Sequence, residues 1–422
     1  MDEFKVPVTR SNEKTDEPAE FVTPEKVAEA EEASFTPPEE VAAKEELTPE
    51  QTSTAEPLNK TPPKIKHHLK FSKKQWLIIC AVTLIIIGGG ATAYALLHKT
   101  TPTPKIAAKV SLPVKKTVTP SSPTTVASTL TGLPVSPSIN QQPVTAVMIE
   151  NSTFARPQSG LDQAGVVFEA IAEGGITRFV ALFQDTAPSY IGPVRSVRPY
   201  YLDWLSGFDA AVAHVGGSGE ALQDISSWGI KDMNQFYNGS YFERISSRVA
   251  PHNVYTSIAQ LNALETAKGF NTSKYTGFLR KPDQPAKVPT ATTINFNISS
   301  ADYDVQYKYN ATNNDYLRFE GGEPHMEISQ SGVQTQITPK VVIAMVMANS
   351  LEADNIHNVY AAIGSGPVYV FQDGIVTKGT WSKPTRTQQI TFTASNGSPI
   401  KLDAGYTWLT ALGSTSYVTY TN

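Results

Sequence analysis

From Trp76 to Leu97 the chain runs for 22 residues, WLIICAVTLIIIGGGATAYALL, without a charge. As a helix rising about 1.5 Å per residue such a run is roughly 33 Å long, against a hydrocarbon core of roughly 30 Å. No other stretch of the sequence combines that length with that apolarity. The run is expected to cross a membrane once, and it divides the chain into two parts that never share a compartment.

The flanks set the orientation. Lys64, Lys66, Lys70, Lys73 and Lys74 stand directly before the run, while the lysines after it are more scattered. Basic flanks stay cytoplasmic, so the reading is N-terminus inside, C-terminal part outside. A cleaved signal peptide is the alternative, since Ala91-Thr92-Ala93 resembles a cleavage site; the long hydrophilic segment ahead of the run favours an anchor. Cys80, the single cysteine, lies inside the run, with Ile79 before it instead of the small residue a lipidation signal requires. The outer part therefore has no disulfide and no thiolate metal site, and must be held by packing.

Residues 1–75 read as a cytoplasmic tail. Its first 60 residues carry 16 acidic and 6 basic side chains and few large apolar ones, so folding could not offset the entropy of ordering them. Residues 98–130, rich in Thr, Ser, Pro and Lys, read as an extended linker. Beyond them the composition is globular, with 19 basic and 23 acidic residues, a balance that argues against nucleic acid as a partner.

Within residues 131–285, short β-type runs (Val144 to Glu150, Val166 to Ile171, Phe179 to Phe183, Ala210 to Val215) alternate with helical spacing at Gly219 to Trp228 and Thr256 to Lys268, which predicts a mixed α/β domain. Residues 286–422 read as a β-rich domain, its strands punctuated by Asn313-Asn314, Gly321-Gly322, Asp373-Gly374 and Asn396-Gly397. The boundary is placed in Lys281-Pro282-Asp283-Gln284-Pro285, near residue 285.

Candidate site residues concentrate in the first of these domains. Residues 151–250 hold six arginines and one lysine, a bias expected where planar guanidiniums grip carboxylate or phosphate with paired hydrogen bonds. Arg178, Arg195 and Arg198 are the candidate ligands; the competing reading pairs them with Glu169, Glu173 or Asp203 inside the fold. Gly216, Gly217 and Ser218 join a β-run to a helix, a place where backbone N–H groups can cradle an anion, although Ser218 as a plain helix cap accounts for the pattern equally. Glu173, His214 and His252 are the candidate acid–base residues. No spacing supports a metal site, and no cofactor is expected. His325 and His357, in loop-like β-rich sequence, are expected at the surface.

Taken together, Glu150-Asn151, Ala155-Arg156-Pro157-Gln158-Ser159-Gly160, Glu173-Gly174-Gly175-Ile176-Thr177-Arg178, Gly192-Pro193-Val194-Arg195-Ser196, Arg198-Pro199-Tyr200-Tyr201, Gly216-Gly217-Ser218 and Pro251-His252-Asn253 resemble the bacterial YerB-like extracytoplasmic lipoprotein family, the domain family DUF3048. Tyr316-Leu317-Arg318, Gly379-Thr380-Trp381 and Gly405-Tyr406-Thr407-Trp408 resemble its C-terminal part. The resemblance implies a mixed α/β domain followed by a β-rich one, both outside the cell membrane. It brings no agreed activity. This chain departs from many relatives in having an apolar run where they carry a lipidated cysteine.

The expected protein is thus a single-pass cell-envelope protein whose outer part binds an anionic wall component, such as a peptidoglycan stem-peptide carboxylate or a wall-polymer phosphate. Two readings compete with it: a scaffold for a membrane protein partner of the wall-synthesis machinery, and a hydrolase or lyase acting on wall polymers.

Overall fold

The structure is a computed structural model in which residues 125–422 are described. The acidic tail, the apolar run Trp76 to Leu97 and most of the linker lie outside the described residues. Among those described, no helix is long and apolar enough to cross a membrane.

Two sheets carry the core. The first half of the described chain supplies β1 (Thr145–Glu150), β2 (Val166–Glu173), β3 (Ile176–Phe183), α1 (Pro199–Ser206), β4 (Ala211–His214), α2 (Gly219–Trp228), β5 (Lys231–Asn234) and α3 (Ile258–Lys268). The second half supplies β6 (Thr293–Phe296), β7 (Val305–Asn310), β8 (Asp315–Glu320), β9 (Glu323–Pro324), β10 (Val341–Val346), β11 (Gly364–Gln372), β12 (Ile375–Lys383), β13 (Thr391–Ala394), β14 (Thr407–Leu412) and β15 (Val418–Thr421).

The larger sheet has ten strands among the described residues, in the order β13-β12-β11-β10-β14-β2-β3-β1-β4-β5. β14 lies parallel to both β10 and β2, so the last long strand of the chain is hydrogen-bonded to both halves. The sheet therefore crosses the sequence boundary near residue 285. Leu130, at the end of the stretch read as linker, is fully buried in the common core.

Central position explains the sequence pattern. β1, β2, β3, β10 and β14 are buried at every residue, because both faces of the sheet are covered, and they read as continuous apolar runs. Period 2 assigns successive residues of β2 to opposite faces. Phe168 stacks on Trp204 of α1, with ring centroids 5.3 Å apart, while its neighbour Glu169 turns to the other face and meets Arg318 of β8. That second face is covered by an antiparallel sheet of five strands, β9-β8-β7-β6-β15, which packs through Phe296 on Phe371 and Arg318 on Trp408.

The described part is mixed and strand-rich, with its three α-helices all in the first half. The four turn dipeptides fall between strand ends; Asp373 and Gly374 adopt φ of 57° and 74°, the left-handed pair a tight hairpin needs. The helix α1 was not foreseen, since Tyr200, Tyr201, Leu202, Trp204 and Leu205 are all buried and its sequence lacks a polar face to show the helical period.

Candidate functional site

β1, β4 and β5 run parallel, and their carboxyl ends open toward one side of the sheet. Ligand crevices in open α/β sheets form outside such ends. The segment from Gly192 to Pro199 is threaded there as an extended strip. Arg195 N–H donates to the Met148 carbonyl and Val197 N–H to the Gly216 carbonyl, both at 3.0 Å, which ties the strip to β1 on one edge and the glycine loop on the other.

This threading brings most of the candidate ligands together. Arg195, Arg198, Gly216, Gly217, Ser218 and the N-terminus of α2 line one cavity of about 460 Å³. Gly216 has φ of +63°, and a Cβ on Gly217 would stand 3.0 Å from the Val197 carbonyl oxygen, so glycine is required where the loop closes on the strip. Ser218 caps α2, its hydroxyl accepting from Ala221 N–H at 3.4 Å. The cap leaves the first-turn N–H groups of Gly219 and Glu220 with no acceptor inside the helix.

The arginines differ in what they hold. Arg178 and Arg198, 2% and 1% exposed, share the Glu173 carboxylate, Arg198 at 2.7 Å, and each also donates to a main-chain carbonyl of the strip. Arg178 is not among the residues lining the cavity; it braces the strip through the Ser196 carbonyl at 3.0 Å. Arg195 Nε stands 3.8 Å from Glu150 and faces the cavity. Glu169 pairs with Arg318 instead, and the positive charges nearest Asp203 are Lys383 and Arg386.

The three acid–base candidates separate as clearly. Glu173 is committed to the two buried guanidiniums. His214 is fully buried with both ring nitrogens engaged, Nδ1 at 2.7 Å from the Gly216 carbonyl oxygen and Nε2 at 2.8 Å from Asp232, so it pins the glycine loop to β5. His252 lies apart from both, its Nδ1 2.8 Å from Glu150 and its ring on the wall of a second cavity.

Further residues line the first cavity beyond the candidate ligands: Arg244 counts among the six arginines of the sequence bias, whereas Glu352, Asp354 and His357 carried no signal. Arg244, on the short strand that precedes the His252 loop, lines the first cavity and donates to Asn253 Oδ1 at 2.9 Å, with no carboxylate partner among the described residues. Glu352, Asp354 and His357 line the same cavity, and their ligand-type atoms lie within 4.8 Å of one another. Asp354 accepts from the N–H groups of Ile356 and His357 and from the His357 ring, so the cluster closes its own turn. The cavity therefore presents both signs of charge.

One expectation fails outright. His325 is 4% exposed, not at the surface: its Nδ1 accepts from Arg318 and its Nε2 donates to Gln158, both at 3.0 Å. Burial, reinforced by the charges of Arg318 and Arg156, holds the imidazole well below its ordinary pKa and so neutral. Glu320, 3.4 Å from Nδ1, is accordingly no ion partner of this ring. The Asn151, Arg156 and Gln158 motif belongs to the same network: Asn151 donates to Glu320 at 2.7 Å and Arg156 to the Asp302 carbonyl at 2.9 Å. These residues fasten the two halves of the chain together.

The profile of the family described as protein of unknown function DUF3048, N-terminal domain, matches residues 130–271, and that of its C-terminal domain matches residues 293–409. The chain belongs to the DUF3048 family. A curated relative within it, YerB of Bacillus subtilis (strain 168), a candidate lipoprotein by its name, is 34% identical over 197 residues, which are 46% of this chain and 60% of the relative. The crystal structure of the YerB protein from Bacillus subtilis superposes with a TM-score of 0.62 at 26% identity, over 70% of this chain and all of that one. The DUF3048 motifs thus fall into two groups in three dimensions, those that fasten the halves and those that border the cavities.

Proposed function

We propose that this chain is a cell-envelope protein, tethered to the membrane with the described part outside, and that its Arg-lined cavity binds the carboxylate of a peptidoglycan stem peptide. The tether is the single apolar crossing Trp76 to Leu97; the name of the relative, a lipoprotein, supports the envelope location although the anchoring device differs. The observation that carries the binding reading is the convergence of Arg195, Arg198, Arg244 and the N-terminus of α2 on one 460 Å³ cavity. Guanidiniums and a helix N-terminus both favour a carboxylate or phosphate oxygen.

The acidic residues in the same lining narrow the class. Glu352 and Asp354 repel a polyanion but suit a ligand that carries an amine beside its carboxylate, as a stem peptide does. Titration calorimetry of the full chain in detergent tests this, with soluble stem peptide and inorganic phosphate as separate ligands. Arg195→Ala and Arg244→Ala should each weaken peptide binding at least tenfold, with the melting curve intact in the variant of the exposed Arg244. Undiminished binding in both variants, or tighter binding of phosphate than of peptide, would overturn the reading.

A further inference from the structure

The second cavity, of about 600 Å³, lies beyond the loop Arg244 to Asn253 and shares no wall residue with the first. Its walls are Phe154, Tyr190, Tyr255, Arg248 and His252, with Ser329 and Gln330 completing it from the second half of the chain. The Arg248 guanidinium is spent on structure, donating to the Phe154 and Pro157 carbonyls at 2.8 and 2.7 Å, so it holds the Phe154 segment in place. The acid–base group whose chemistry remains available is the His252 imidazole.

Glu150 terminates β1 beneath that imidazole, 4% exposed, and accepts from His252 Nδ1 at 2.8 Å and from Ser152 Oγ at 2.9 Å. Burial pushes the Glu150 carboxyl up, but the His252 hydrogen bond and the charge of Arg195 outweigh it and hold it below the usual carboxylate range. An ionised acceptor at Nδ1 places the ring proton there and the lone pair on Nε2. Nε2 has no hydrogen-bond partner among the described residues. A buried carboxylate orienting an imidazole that lines a cavity is the arrangement of a general base.

We propose that the Glu150–His252 pair is a hydrolytic site, separate from the anion-binding cavity, that cleaves short acyl esters of sugar hydroxyls. The walls select the substrate class. Phe154, 65% exposed, and the half-buried Tyr190, which is backed by the buried Tyr255 at a centroid distance of 4.4 Å, offer aromatic surface to the apolar face of a pyranose, and Ser329 and Gln330 offer partners for its hydroxyls. Glycosidic cleavage needs two carboxylates flanking the bond, and this cavity has no carboxylate on its wall. An ester needs only a base for the attacking water and an acid for the leaving alcohol, which one imidazole supplies in turn.

In the step itself, His252 Nε2 takes a proton from water as the water oxygen bonds to the acyl carbon. The resulting tetrahedral intermediate collapses with cleavage of the bond to the sugar oxygen, and that oxygen receives the proton back from Nε2. One water is consumed, and a carboxylic acid and a free sugar hydroxyl are released. Glu150 stays ionised throughout and offsets the charge of the transient imidazolium; it is a positioning residue, and His252 the catalytic one.

The test is hydrolysis by the full chain in detergent, with p-nitrophenyl acetate and a per-O-acetylated N-acetylglucosamine as probes. His252→Gln should lower kcat/KM at least 100-fold on both, and Glu150→Gln should lower kcat with KM little changed, because it removes orientation and not binding. Because Glu150 is buried, Phe154→Ala serves as a second variant on a side chain that packs little: it should raise KM for the sugar ester several-fold more than for the small ester. A rate in His252→Gln equal to that of the unaltered chain, or no turnover of either probe above the buffer blank, overturns the assignment. Stem-peptide binding is measured separately, so its failure leaves this result standing and the reverse holds too.

Discussion

Replacing Arg318 by Ala should cost the fold about 3–5 kcal/mol, the range for stranding one member of a buried ion pair. Arg318 and Glu169 have fully buried side chains and meet at 2.8 Å, and Glu169 also accepts from Trp408 Nε1 at 2.9 Å and Thr410 Oγ1 at 3.2 Å. Removing the guanidinium strands the Glu169 carboxyl between the two sheets, near the carboxyl of Glu320 that Arg318 also approaches at 3.6 Å. The cation-π contact with Trp408, 4.3 Å from guanidinium carbon to ring centroid, is lost as well. For a domain of this size each kcal/mol moves the melting midpoint by roughly 2 °C, so a fall of about 6–10 °C is expected. Guanidinium denaturation followed by tryptophan fluorescence gives the free energy. A Glu169→Met, Arg318→Met double variant should be more stable than the sum of the two singles predicts, by about 2 kcal/mol or more, since it strands neither charge. A loss below about 1 kcal/mol in Arg318→Ala would refute the claim that this pair clamps the halves together.

Burial, then hydrogen bonding to Asp162, raises the Glu327 carboxyl from its ordinary 4.5 to about 8. The folded chain therefore holds this proton more tightly than the unfolded one, so the associated stability is full below about pH 4.5 and is lost as pH rises toward about 8. Glu327→Gln should match the unaltered chain at acid pH and gain on it progressively through that window; parallel stability–pH curves would contradict this. Gly366→Ala should cost about 1–3 kcal/mol, because its Cβ would stand 2.3 Å from the Val346 carbonyl oxygen that accepts from Trp381 Nε1; chemical denaturation measures it. Ser218→Ala removes the cap of α2 and should cost about 1 kcal/mol in the same assay.

The legible part of the fold was the part written in local pattern. The continuous apolar strands β1, β2, β10 and β14, the left-handed turn dipeptides, and the capped helix α2 that stops at Gly229 in the αL conformation all follow from short-range rules. Strands such as β12, IVTKGTWSK, were hidden because an exposed hairpin arm near the sheet edge needs little apolar content. In the candidate site, the strip from Arg195 to Arg198 and the glycine loop were found because guanidiniums and glycines have few other reasons to cluster. Glu352, Asp354 and His357 were not, because ordinary residues in a turn acquire a role only through what they face.

The sequence by itself determined the apolar run, the two patterns of secondary structure on either side of residue 285, and the residues able to carry charge chemistry. Only the tertiary structure decided which of them keep that chemistry. Arg178, Glu173 and His214 are each consumed by partners that the fold brings against them, whereas His252 lines a cavity. Whether a buried charge is fastening or function depends on the field and the donors around it, and these are assembled by the packing of the strip, the glycine loop and the parallel strands β1, β4 and β5.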